Sequence, residues 1–115
     1  MNRDLRLFGS STRTRLLVAL GLLEESYVYE LARTLKAERV SLARMVDELV
    51  FEGVFVVRSI GRARTISFNP SFPGAVHLKA LLNALAQRDP ELLEAATRLR
   101  RRPRRKHKPV RASEA

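Results

Sequence analysis

The stretch VYELARTLKAERVSLARMVDELVFEGVFVVRSIGRARTISF, residues 28–68, decides the fold. Within it Leu42, Met45, Val46 and Leu49 recur at i, i+3, i+4 and i+7, the spacing that gathers apolar side chains on one buried helical face. This predicts a helix over residues 38–52. At about 100° per residue, Val40, Ala43, Arg44 and Asp47 lie on the opposite side, so the first half of the helix presents small or charged groups outward. Gly53 ends the helix, because glycine takes the left-handed conformation at least cost. Val54 to Arg58 and Ala63 to Phe68 then read as two strands, with Gly61-Arg62 as the turn between them. The tip of that hairpin is basic.

Just before this helix, Leu31, Ala32 and Leu35 stand at i, i+1 and i+4, predicting a short helix from Tyr29 to Lys36 that packs across the longer one. The turn that follows, at Lys36, has no glycine to take a left-handed position at low cost, so it is either strained there or longer and differently shaped. Phe51 falls near the outward side of its helix, where it either packs against the hairpin or the first helix, or meets a partner.

Outward from this core, Ser10 or Ser11 caps a helix that runs to about Glu24 and carries Leu16, Leu17, Leu20 and Leu23. Asn69-Pro70 and Phe72-Pro73-Gly74 mark a loop. A helix from Ala75 to Arg88 follows, with Val76, Ala80, Leu81, Ala84 and Leu85 as its apolar residues. Asp89 caps and Pro90 opens a last helix striped by Leu92, Leu93, Ala96 and Leu99. The fold class is mainly α with a small β-hairpin. Residues 1–99 form one domain, and residues 100–115, RRRPRRKHKPVRASEA, are predicted to be a disordered basic tail with too little apolar content to offset ordering.

That tail holds eight of the 22 Lys and Arg and one of the 12 Asp and Glu, leaving 14 cations and 11 anions, a net +3, for the domain. The net charge of +10 therefore overstates how basic the folded part is. No apolar run approaches the ~20 residues of a membrane span, and the start of the chain has no long apolar stretch of the signal-peptide kind. A cytoplasmic protein with no membrane partner is expected. Cysteine is absent, which excludes disulfides, thiolate ligands and cysteine nucleophiles. Neither a phosphate-cradling glycine pattern nor a recognisable Ser/His/Asp trio occurs, so no catalytic residues and no cofactor are expected.

LFGSSTRTRLLVAL at 7–20, YELARTLKAERVSLARMVDELVFEGV at 29–54, the hairpin and SFNP at 67–70 together resemble the winged helix-turn-helix of bacterial ArsR-type transcriptional regulators, over roughly residues 5–85. The resemblance implies about five helices and a two- to three-stranded wing, in which residues 26–28 pair with the hairpin as a third strand. It implies binding to double-stranded DNA and repression by occupying an operator. It does not bring a metal site. The family's metal-binding cysteine pair matches Tyr27 and Tyr29 here, and its histidine-rich site on the last helix has no counterpart, since His77 is the one histidine before the tail.

For the helix at 38–52 the functional reading is major-groove insertion. Arg39 and Arg44 suit guanine edges or phosphates, Ser41 a phosphate, and Val40 and Ala43 thymine methyls. The bland alternative is an amphipathic helix with a solvated face. Asp47, Glu48 and Glu52 confine contact with DNA to its first two turns, because carboxylates repel phosphates. In the hairpin, Arg58, Arg62 and Arg64 surround Gly61, either to follow the backbone or enter the minor groove, or simply to solvate a loop.

Helix one and the last two helices carry more leucine than a short helix pair needs for cover. An apolar patch left open marks an interface, here assigned to Leu16, Leu20, Leu92, Leu93 and Leu99. The resemblance implies a homodimer formed by the first and last helices, with recognition helices ~34 Å apart. The alternative is that the last helix closes the core of a monomer. Two rival functions stand beside specific DNA binding: a protein-interaction module using Phe51, Val40 and Ala43, and nonspecific nucleic-acid binding by the tail.

Overall fold

Ser10 caps the first helix in a computed structural model that describes residues 6–101. Its hydroxyl accepts the Arg13 amide at 3.1 Å, satisfying one of the orphan donors at a helix start. Helix α1 then runs Ser11–Leu23. From Leu16 through Leu20 every residue is buried, so this helix has no wet face along its middle and forms the centre of the molecule. Around it come β1 (Glu25–Ser26), α2 (Val28–Leu35), α3 (Arg39–Phe51), β2 (Phe55–Ile60), β3 (Ala63–Phe68), α4 (Ala75–Ala86) and α5 (Pro90–Arg101). The chain is thus mainly helical, with α1 packed against α2, α4 and α5.

The three strands form an antiparallel sheet in the order β1-β3-β2. Strand β1 pairs Ser26 with Ile66, so the third strand covers Glu25–Ser26. It lies one residue ahead of the expected segment 26–28, because Tyr27 is already the extended N-cap of α2, its carbonyl accepting the Leu31 amide at 3.0 Å. Phe55 pairs with Phe68 and Val57 with Ile66, and since side chains alternate between faces, these four share the side that meets the helices. The rings of Phe55 and Phe68 meet edge to face, with centroids 5.2 Å apart. Gly61 takes a φ of +62° in the two-residue turn, the conformation hairpin turns of this length require.

Two helix ends share one hydrogen-bond pattern. After α3, the Gly53 amide reaches the Val50 carbonyl and the Val54 amide the Leu49 carbonyl, at 3.0 and 2.9 Å, a Schellman motif with glycine in the left-handed position. After α2, Lys36 reaches Arg33 and Ala37 reaches Ala32, at 3.3 and 2.9 Å. The left-handed residue there is Lys36, at φ 55° and ψ 45°.

Two packing expectations are overturned. Phe51 packs against neither the hairpin nor α1: it is 91% exposed. The turn at Gly53 folds the chain back over the Leu49 side of α3, which buries Val54 and Phe55 and leaves Phe51 outside. In α4 the apolar stripe is rotated from the expected one. Leu82 and Ala86 are buried and Leu78 and Leu85 partly so, whereas Val76, Ala80, Leu81 and Ala84 face outward. Leu82 wins because α1 offers it Gly21, where even an added Cβ would stand only 3.4 Å from the Leu82 Cβ.

Helix α5 closes the far side of α1. Asp89 accepts the Leu92 amide at 3.2 Å as N-cap and also pairs with Arg15 of α1 at 3.1 Å. At the other end Arg100 donates to the Leu22 carbonyl at 3.0 Å, near the negative end of the α1 dipole. Arg100 and Arg101, expected in the tail, therefore belong to α5. The remaining tail lies outside the described residues.

Candidate nucleic-acid interface

Helix α3 is held from behind by Leu42, Val46 and Leu49, all buried, with Met45 partly so. That anchoring fixes which side faces solvent. Arg39, Val40, Ser41 and Arg44 are exposed and Ala43 is half-buried. The exposed four span the first two turns, the part expected to face outward. Val40 is 63% exposed. Ser41 is already engaged, donating to the Glu38 carboxylate at 2.7 Å.

The acidic half of the same helix is tethered elsewhere. Arg13 of α1 donates to Glu48 at 2.9 Å and lies 3.8 Å from Glu52. The result is a polarised helix, cationic at its N-terminal half and with two carboxylates at its other end countered by Arg13.

The hairpin arginines do not act as one group. By the strand register, Arg64 pairs with Ser59 and lies on the side of the sheet that carries Phe55 and Ile66. Arg58 pairs with Thr65 on the opposite side, where it stands 3.9 Å from Glu25 of β1. Arg62 occupies the turn itself. Arg62 and Arg64 stand together at the tip, and Arg58 faces away beside an acid. Ile60, 62% exposed, shares the Arg58 face.

Sequence reading missed a neighbouring group. Tyr29 in the first turn of α2 is half exposed, and the guanidinium carbons of Arg33 and Arg39 each lie 5.7 Å from its ring centroid. The signal available in the sequence was Arg33 at i+4 from Tyr29, which puts the two on one helical face. That Arg39 joins them depends on how α2 crosses α3.

Burial corrects three of the five leucines assigned to a subunit interface, while Leu93 and Leu99 are only partly buried. Leu16 and Leu20 are 0% and Leu92 1% exposed within this single chain, and Leu93 and Leu99 pack against the same core. Helix α1 lies under α2, α4 and α5, so its leucines are covered by the chain's own helices rather than left for a partner. On α4, Val76, Ala80, Leu81 and Ala84 form an apolar face that does turn outward.

His77 is exposed. Among the described residues no group of three or more His, Cys, Asp or Glu is placed to hold a metal ion, and no helix is long and apolar enough to cross a membrane. Comparisons with protein-family models, with curated proteins and with solved structures found no match.

Proposed function

We propose that this chain binds duplex DNA sequence-specifically, with α2 and α3 as a helix-turn-helix and the β2–β3 hairpin as its wing. One observation carries the reading: Arg39, Val40, Ser41 and Arg44 stand exposed on the first two turns of a helix whose back is fully packed. Arg44 as a donor on a rigid helix, with Val40 as an aliphatic contact beside it, suits readout of base edges in the major groove, and Arg39 at the helix start suits a phosphate. The basic hairpin tip supplies phosphate contacts beside it. The resemblance to ArsR-type regulators extends the proposal to a homodimeric, non-enzymatic repressor that needs no metal. The outward apolar face of α4 is the surface proposed for the second copy.

Selection of bound fragments from a genomic DNA pool, followed by titration of the winning duplex against salt, tests this. Specific binding should give a shared sequence and an affinity falling steeply as salt rises, at about 0.9 log units per log unit of salt for each phosphate engaged. No enrichment above bulk DNA would defeat the proposal.

A second reading, a protein-interaction module, is favoured by Phe51 at 91% and Val40 at 63% exposure. An apolar contact of that kind would be nearly indifferent to salt and abolished by Phe51→Asp.

A further inference from the structure

Tyr29, Arg33 and Arg39 form a group whose chemistry is unfinished. Arg39 is the first residue of α3, where the helix dipole disfavours a cation. Arg33 lies in the last turn of α2. Among the described residues neither forms an ion pair with a carboxylate. What holds each guanidinium is instead the same tyrosine ring, at 5.7 Å, within the range where the quadrupole of an aromatic face attracts a cation. Two cations share one half-exposed ring, and among the described residues neither has a carboxylate partner.

Gathering them raises the local potential, and their planar N–H forks match the oxygens of a phosphate. The ring restrains two flexible side chains before a ligand arrives, so less freedom is lost on binding. The place is also apt: the group joins the start of α2 to the start of α3, directly beside Val40 and Ser41.

We propose that Tyr29 is a positioning residue that holds Arg33 and Arg39 as a pair on a single phosphate of the DNA backbone, at the edge of the groove α3 enters. This rests on the duplex-DNA reading above. The phosphate fixes the register of α3, and the ring makes two arginines act as one clamp rather than as two separate cations.

The test uses the full-length protein and a fluorescein-labelled, mixed-sequence DNA duplex, read by anisotropy over a series of salt concentrations. Tyr29→Phe keeps the ring and should match wild type. Tyr29→Leu should weaken binding roughly tenfold, the scale expected when two rotamer-rich side chains must be ordered on binding rather than beforehand. It should also lower the salt slope by about 0.9, the share of one phosphate. Thermal unfolding shows whether Tyr29→Leu is folded. Independently of that variant, Arg33→Gln with Arg39→Gln should lower the slope by the same single share, about 0.9.

A double arginine variant that loses twice that share would mean separate phosphates and would overturn the clamp. So would a Tyr29→Phe protein as weak as Tyr29→Leu, since the hydroxyl would then be the contact, or a folded Tyr29→Leu protein with wild-type affinity and slope. If wild type fails to bind the duplex at every salt concentration, the DNA reading itself falls and takes the clamp with it. Strong wild-type binding with an unaltered Tyr29→Leu slope removes the clamp alone.

Discussion

The Arg13 guanidinium donates to the Glu48 carboxylate at 2.9 Å, joining the first turn of α1 to the acidic half of α3. With Glu52 at 3.8 Å from the same guanidinium, one cation of α1 offsets two carboxylates. Arg13→Ala should therefore lower duplex affinity although Arg13 never touches DNA, because it frees two negative charges on the helix that approaches phosphates. Expected are a loss of a few-fold that grows as salt is reduced and a stability cost of ~0.5 kcal/mol, the scale of an ion pair whose carboxylates are more than half exposed. Unchanged affinity at low salt would show that α3 does not approach DNA in this orientation.

Arg44 is exposed on the second turn of α3. Arg44→Ala should cost ~1–3 kcal/mol of binding to a selected duplex and relax the preference at one base position, if the arginine is bidentate to a guanine. A circular-dichroism melt should show an unaltered fold. Equal weakening on all sequences would reassign Arg44 to the backbone.

The hairpin arginines should separate in the same assay. Replacing Arg62 and Arg64 with alanine should weaken binding to all sequences alike and flatten the salt slope. Arg58→Ala should do almost nothing, because that side chain lies on the other face of the sheet beside Glu25. A large effect of Arg58→Ala would mean that the hairpin presents its opposite face.

Lys36→Gly should stabilise the protein. Lys36 holds a left-handed conformation at φ 55°, which costs a side-chain-bearing residue ~1–2 kcal/mol and glycine almost nothing. Glycine's greater freedom in the unfolded chain returns part of this, leaving a gain of about 0.5–1 kcal/mol. Urea denaturation reads it directly, and a lowered midpoint would contradict the assignment.

The second copy is sought on α4. Sedimentation should show a dimer for the wild-type chain and a folded monomer for Leu81→Glu, whose parent side chain is 41% exposed. Leu92→Glu should instead unfold the protein, because Leu92 is 1% exposed and the new carboxylate would be buried without a partner. A wild-type monomer at micromolar concentration would remove the dimer from the proposal.

What the sequence determined by itself was local. Leu42, Val46 and Leu49 had the period of a helix, Gly53 stood where a left-handed residue ends a helix, Gly61-Arg62 separated two strands, and Asp89-Pro90 began the last helix. Each follows from the backbone preferences of a few adjacent residues, which no distant neighbour had to supply. Tertiary structure decided everything that depended on which surface meets which. Helix α4 has only His77, Lys79 and Asn83 as polar residues, so its periodicity could not fix its rotation, and the opening at Gly21 did. Leu16, Leu20 and Leu92 are equally apolar whether covered by their own chain or by another, and only the placement of α1 beneath three helices showed which. The turn after Phe51 put that ring outside, the register separated Arg58 from Arg64, and the crossing of α2 and α3 brought Arg39 to Tyr29. Burial is a property of pairs of surfaces, and a pattern along one chain specifies only one member of each pair.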